Sequence, residues 1–194
     1  MLKLLDDTIK EIICKTIDSN LNFSFKAPTA DWSGKLNTGC TVNCYFYQIK
    51  DALQLNERSR TIQRMPSKEG NFVAGIRVQP PIYMDCHYLI TVWNHDYPEE
   101  EHHLLWKILS ILYQQSEIAF SGSDSHLRSR IGRQDSAEFN SIEFWSSMQN
   151  PVRPSIQWIV TVPMELDNSH KTPARLVQDR IFKYEVLLDS KVSS

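Results

Sequence analysis

Residues 82–93, with the sequence IYMDCHYLITVW, constrain the fold more than any other stretch of the chain. The segment is dense in β-branched and aromatic residues, which favour extended backbone on a half-buried sheet. Pro80 and Pro81 precede it and mark where it begins. Residues 41–50 (TVNCYFYQIK) and 155–162 (SIQWIVTV) have the same character. The sequence therefore predicts a β-sheet built on three long strands, with residues 41–50 as a central strand.

Helices are predicted between and beside these strands. Apolar residues recur at helical spacing over residues 2–17 and 104–113, and in the second segment they cover more than half of the helix circumference, which predicts a largely buried helix. A third helix is predicted over residues 137–149, with an N-cap at Asp135-Ser136. Weaker signals predict a strand over 22–27 and a strand or loop over 126–133. This order predicts an α+β fold in which helices flank a mixed β-sheet.

Two segments depart from this pattern. Residues 51–75 are charged and polar and predict a long excursion from the sheet, either an exposed loop or a hairpin. Residues 164–194 also change character, but their apolar content over 176–188 argues against a plain disordered tail. We therefore divide the chain into a domain over residues 1–163 and a C-terminal arm over 164–194, which packs on its own core or on a neighbouring subunit.

The five tryptophans separate into two groups. Four of them lie in predicted strands or helices and are expected in the core: Trp93, Trp106, Trp145 and Trp158. Trp32 lies in a polar loop predicted over residues 28–39. An exposed tryptophan there would be a good interface anchor, whereas a loop packed back on the core would bury it.

Composition limits the classes of function. A chain of 194 residues favours one domain, and its formal net charge of −2 gives no support to a nucleic-acid binder. Residues 1–17 carry acids within their apolar pattern, so we expect no signal peptide, and no stretch approaches the roughly 20 apolar residues that span a bilayer. We therefore expect synthesis in the cytoplasm, no direct membrane insertion, and reduced thiols at the four cysteines.

Residues 99–103 (EEEHH) resemble a metal or catalytic site at first sight. Zinc hydrolases place two histidines one helical turn apart, whereas His102 and His103 are adjacent and would point about 100° apart on a helix. Glu99 and His103 could share a helix face, which keeps a metal-dependent hydrolase as an alternative. The favoured interpretation is a helix start, because acids in a first turn meet the positive end of the helix dipole.

Other catalytic or ligand-binding signatures are weak. The segment Cys40-x-x-x-Cys44, with Cys86 next to His87, suggests zinc, but a tight Cys-x-x-Cys pair is missing and buried free cysteines are favoured. Neither a nucleophile elbow nor a glycine-rich phosphate loop occurs. We therefore predict no catalytic residue, no cofactor and no metal.

Taken together, the segments resemble a known family: the cap, or tail-terminator, proteins of extracellular contractile injection systems, of the antifeeding prophage and Photorhabdus virulence cassette type. The matching motifs, in order, are Asn43 to Ile49, Pro80-Pro81, His87 to Trp93, Glu101 to Leu105, Phe144 to Met148, and Arg153-Pro154-Ser155. Their order and spacing carry the resemblance, which covers roughly residues 1–163. The enlarged excursion and the arm are departures from the family pattern.

The resemblance implies a structural role. Such proteins form a six-fold ring of identical subunits that contacts the inner tube and the sheath and closes the particle end distal to the baseplate. It implies assembly in the cytoplasm and leaves open whether the finished particle is released, cytoplasmic or membrane-anchored. An adaptor that forms no ring is a further alternative.

A ring needs heterologous contacts, and the segments 51–75 and 175–188 are our hypothetical contact elements. The individual interface candidates are Trp32, Arg58, Arg60, Arg64, Arg153, Arg180, Phe182 and Tyr184.

Overall fold

The computed structural model describes residues 2–17, 21–36, 39–56, 61–65, 74–78, 81–94, 96–119, 126–132, 139–164 and 172–174. The chain divides into two compact units. The first consists of Met1–Glu57 and Pro81–Glu165, and the second of Arg58–Pro80 and Leu166–Ser194. The division at residues 163 and 164 that the sequence suggests stays a prediction.

The described helices are α1 (Leu2–Thr16), α2 (Ala30–Ser33), α3 (Leu53–Asn56), α4 (Pro98–Gln114) and α5 (Ser141–Ser147). The described strands are β1 (Asn22–Ser24), β2 (Thr41–Asp51), β3 (Thr61–Met65), β4 (Ala74–Val78), β5 (Ile82–Trp93), β6 (Glu117–Ala119), β7 (His126–Ile131), β8 (Ile156–Met164) and β9 (Thr172–Ala174).

The first unit is built on a six-stranded sheet in the order β1-β2-β5-β8-β7-β6. Only the β1–β2 pair is parallel, and every other neighbouring pair is antiparallel. The predicted mixed sheet flanked by helices is therefore confirmed. β5 lies between β2 and β8 and pairs with both along most of its length, from Thr41↔Trp93 to Asp51↔Met84 on one side. This position explains its dense apolar sequence, because a strand with neighbours on both sides and helices above and below is buried on both faces.

Helices cover both faces of this sheet. Successive side chains of a strand point to opposite faces, so Tyr88 and Leu89 belong to different clusters. The Tyr88 face packs against apolar side chains of α1 and α4: Leu5, Ile9, Ile13, Leu104, Ile108 and Leu112. The Leu89 face packs against α5 and the α2 segment through Trp93, Trp145, Trp32, Leu36 and Phe144. The core is thus two apolar layers with the sheet between them.

The second unit contains a small three-stranded sheet in the order β3-β4-β9. β3 and β4 form the hairpin that was one of the two predictions for the excursion. β9 pairs antiparallel with β4, and Gly75 lies opposite Ala174. A strand from the C-terminal arm therefore completes the sheet that the excursion begins.

Most long elements begin and end close to their predicted residues, but two local predictions are wrong. The loop predicted over 28–39 contains α2, whose N-cap Thr29 accepts a hydrogen bond from the backbone N–H of Trp32 at 3.3 Å. α5 begins at Ser141 instead of 137, because Asn140 is its N-cap and accepts from the backbone N–H of Ile142 at 3.1 Å. The predicted cap at 135–136 lies outside the described residues.

The prediction that Trp106 lies in the core is also wrong. α4 buries one face, with Leu104, Ile108 and Leu112, whereas Trp106 is 70% exposed. In a helix, position 106 points almost opposite to 104 and 108, so the wide apolar pattern of this segment includes an outward-facing aromatic residue. α4 is therefore amphipathic instead of largely buried.

Candidate functional site

A buried polar cluster joins the end of β5 to the start of α4, and Glu101 is at its centre. The Glu101 carboxylate accepts a hydrogen bond from the backbone N–H of Asn94 at 2.6 Å and forms an ion pair with the Arg153 guanidinium. The Asn94 side-chain oxygen accepts from the backbone N–H of Tyr97 at 3.2 Å, while its amide donates to Glu100 at 2.8 Å. These bonds to Asn94 hold the connection between β5 and α4 and fix the position of the acidic first turn of α4.

The other side of the Arg153 guanidinium lies against an aromatic ring. Its Cζ atom is 4.1 Å from the centre of the Trp93 ring. Trp93 donates from its indole N–H to Thr91 Oγ1 at 2.9 Å and contacts Trp32 edge-on, with ring centres 5.4 Å apart. Trp145 packs on Trp93 from α5 at 6.3 Å. The guanidinium combines an ion pair with a cation–π contact, a combination that its flat, delocalised charge permits.

This geometry answers the question that residues 99–103 raise. α4 begins at Pro98 with three acids in its first turn, so the favoured helix start is confirmed. His102 and His103 are exposed, while Glu101 between the acids and the histidines is buried. Within the described ranges, no group of three or more His, Cys, Asp or Glu side chains is placed to hold a metal ion. The hydrolase alternative therefore gains no ligand set from these residues.

All four cysteines are free thiols in the structure. Cys44 and Cys86 are buried in the apolar layer, as favoured, whereas Cys14 and Cys40 are partly exposed. Burial raises the pKa of Cys40 and of Cys86 to about 11 and raises the pKa of Cys44 well above its usual range. These three thiols are therefore protonated at neutral pH, which suits apolar packing and slows nucleophilic chemistry.

We expect the free energy of unfolding to fall as pH rises from the usual thiol value of 9.0 toward 11. Above 9 the unfolded chain loses thiol protons that the folded chain still holds, so unfolding becomes favoured; burial raises the pKa of the Tyr88 phenol in the same sense. Urea titrations at about pH 8 and about pH 10.5 measure this difference. Cys86→Ala is the control and should show a smaller decrease. Equal stability at both pH values would contradict the prediction.

Exposed aromatic side chains define a surface on α4 that the sequence did not identify. We call Trp106, Ser110 and Tyr113 the α4 aromatic strip, because residues four and three apart share one helix face. Trp106 is 70% exposed and Tyr113 is 69% exposed. The signal that could have found the strip is its helical phase, which is opposite to that of Leu104 and Ile108.

A groove lies on the sheet face opposite to the one that α4 covers. We call it the β7 groove; it has a volume of about 880 Å³ and is lined by residues 51–55, Asp85, residues 116–117, residues 128–130 and Thr161. Asp85 accepts from Thr161 Oγ1 at 2.6 Å and from the Arg130 guanidinium at 3.0 Å. These contacts place the three side chains on one face. The groove thus combines charged groups with the exposed Leu53.

The interface candidates from the sequence are scattered. Trp32 and Arg153 come together around Trp93, where both are partly buried. Arg64 lies in β3. The other five lie outside the described residues: Arg58, Arg60, Arg180, Phe182 and Tyr184. Contact elements over 51–75 and 175–188 therefore remain predictions.

Comparison with known proteins gives a family. The model of the family described as the Pvc16 N-terminal domain matches residues 1–179. The chain belongs to the Pvc16 N-terminal domain family. The resemblance noted from the sequence is thereby confirmed.

Two solved structures share the fold of this chain. The PVC sheath/tube terminator of an extracellular contractile injection system, in the extended state, superposes with a TM-score of 0.66 at 20% identity, covering 97% of this chain and 65% of that one. The tube-terminating cap of the anti-feeding prophage superposes with a TM-score of 0.61 at 18% identity, covering 93% and 60%. The chain thus spans less than two thirds of either protein. No curated protein sequence matches it.

Residues from separate family-like motifs meet in the Glu101 cluster. Glu101, Arg153 and Trp145 come from three different motifs, and Trp93 ends a fourth. The cluster links elements on both faces of the sheet, so these motifs maintain the fold. Among the described helices, none is both long and apolar enough to cross a lipid bilayer.

Proposed function

We propose that this chain is the terminator of a phage-tail-like contractile injection particle, ending its inner tube and sheath distal to the baseplate. It acts as a six-fold ring of identical subunits, assembled in the cytoplasm. Its partners are its own copies, the tube protein and the sheath protein. The observation that carries the proposal is the shared fold with a sheath/tube terminator over 97% of the chain.

The described surface supports an assembly role. The largest exposed apolar side chains include aromatic residues on α4 as well as Leu53 and Ile142, which are 69% and 68% exposed. Apolar side chains that gather in one exposed patch are typical of protein interfaces, and Trp106 and Tyr113 share one face of α4. The Glu101–Arg153 ion pair, by contrast, connects elements within the fold and thereby stabilises it. The proposal therefore assigns the chain a structural role instead of a catalytic one.

The test is deletion of the gene in a strain that makes the particle, followed by electron cryo-microscopy beside the parent strain. We expect tubes of uncontrolled length with ragged, uncapped ends, because nothing stops tube polymerisation. A plasmid copy of the full chain should restore uniform capped particles. His103→Ala on the same plasmid should restore them equally, since that side chain is exposed and makes no contact that the proposal needs.

Capped particles of normal length in the deletion strain would overturn the proposal. Restoration that depends on His103 would instead favour the hydrolase alternative. Normal tubes that lack only one bound component would favour the adaptor alternative.

A further inference from the structure

We propose that the α4 aromatic strip of one copy docks in the β7 groove of the next copy, and that this contact closes the ring. The inference rests on the proposed function and adds the two surfaces that form the contact. Its chemistry is aromatic on one side and apolar with arginine on the other.

The strip has the properties of an interface anchor. Trp106 and Tyr113 each leave more than two thirds of their surface exposed. Full burial of such rings removes about 150–250 Å² each from water. A stable interface buries about 800 Å² per partner, with tryptophan and tyrosine as its dominant residues. Two aromatic rings on one helix face therefore supply a substantial part of the required area, and they do so with the residue types that contribute most binding energy.

The β7 groove is complementary to the strip in shape and in chemistry. It is concave, whereas a helix face is convex, and its volume of about 880 Å³ exceeds that of an aromatic side chain several-fold. Leu53 is 69% exposed and offers apolar contact. Arg128 and Arg130 are exposed on its β7 side and offer guanidinium planes. The carboxylates of Asp85 and Glu117 also line it, and Asp85 is already paired with Arg130.

An arginine that is already ion-paired can still stack on an aromatic ring. The same molecule shows this, because Arg153 pairs with Glu101 while its Cζ atom lies 4.1 Å from the Trp93 ring centre. Arg130, paired with Asp85, has the same potential toward Trp106 of another copy. Stacking of this kind is stronger once the contact is desolvated.

The positions of the two surfaces dictate the symmetry of the contact. α4 packs on the sheet face that carries Tyr88, whereas Asp85 and Thr161 point to the opposite face. Because the strip and the groove lie on opposite sides of the molecule, one partner copy related by a two-fold axis cannot contact both of them. They produce a head-to-tail contact, and such contacts form rings when the rotation closes.

The test is site-specific photo-crosslinking in cells that make the particle. Trp106→p-benzoylphenylalanine should give, after illumination, a covalent adduct of two copies whose linked peptides are 106 and 51–55 or 128–130. Ile142→p-benzoylphenylalanine is the matched control: it is equally exposed, at 68%, and lies in neither surface. It should give no adduct to the groove peptides.

A second measurement adds a charge to each surface of the chain that carries p-benzoylphenylalanine at position 106. Tyr113→Glu on the strip and Leu53→Glu in the groove should each remove more than about nine tenths of the two-copy adducts, because burying an unpaired charge in an interface is costly. Adducts of position 106 to the tube or sheath protein, to another part of the second copy, or to nothing would overturn the inference alone. Absence of the unaltered chain from purified particles would overturn the proposed function instead.

Discussion

Glu101→Ala is expected to lower the free energy of unfolding by about 3–5 kcal/mol, the usual loss when one partner of a buried ion pair is removed. The variant leaves the Arg153 guanidinium without its carboxylate and the Asn94 N–H without its acceptor. Urea denaturation followed by tryptophan fluorescence measures the loss. Trp93, which lies against Arg153, is one of the five tryptophans that contribute to this emission.

His103→Ala is the matched control for that experiment. The residue lies two positions further along the same helix turn but is exposed, so its change should stay within about 0.5 kcal/mol. The double variant that combines Glu101→Gln with Arg153→Met should lose less unfolding free energy than the sum of the losses measured for Glu101→Gln and Arg153→Met separately, because the two side chains are coupled. A loss for Glu101→Ala no larger than for His103→Ala would contradict the assignment of Glu101 to the fold.

Trp145→Ala is expected to lower the free energy of unfolding by about 3–5 kcal/mol through cavity formation. The side chain is fully buried between α5 and the sheet, against Trp93 and Phe144. Trp106→Ala is the control on α4 and should change stability by no more than about 0.5 kcal/mol, because that side chain is exposed.

If Trp145→Ala does not fold, Trp145→Phe makes the same point. The indole N–H of Trp145 has no hydrogen-bond partner among the described residues, so phenylalanine loses only volume. Its loss should therefore be smaller than that of Trp145→Ala but larger than that of Trp106→Ala. Equal losses at positions 145 and 106 would contradict the distinction between core and surface.

The sequence predicted those elements whose buried residues form a continuous run or recur at a regular spacing. β5 is found over Ile82–Trp93 as predicted, because a strand buried on both faces has a continuous apolar sequence. The start of α4 was also predicted, since the acids at 99–101 suit a helix N-terminus for local reasons. Two short elements, β6 and α2, were missed, because three or four residues are too few to show a period; β6 pairs with the following strand β7, and Trp32 of α2 packs on Trp93.

The candidate surface was harder to predict than the fold. Trp106 and Trp145 both lie in apolar helical segments, and a count of apolar residues does not separate them; the helical phase relative to Leu104 and Ile108 does, and the structure leaves Trp106 exposed and Trp145 buried. Arg153 was chosen as an interface residue from its motif, yet the structure places it between Glu101 and Trp93. Its interface role remains a prediction. The β7 groove joins residues from five strands with the segment that follows β2, so no local pattern indicated it.

The pairing of Gly75 with Ala174 has a consequence for the order of folding during synthesis. β9 leaves the ribosome after β8, the last strand of the six-stranded sheet, and domains generally fold as units in the order of their synthesis. A nascent chain that reaches residue 164 possesses every strand of the large sheet but still lacks the third strand of the small one. The large sheet can therefore form while the chain is still growing, and the small sheet is completed last.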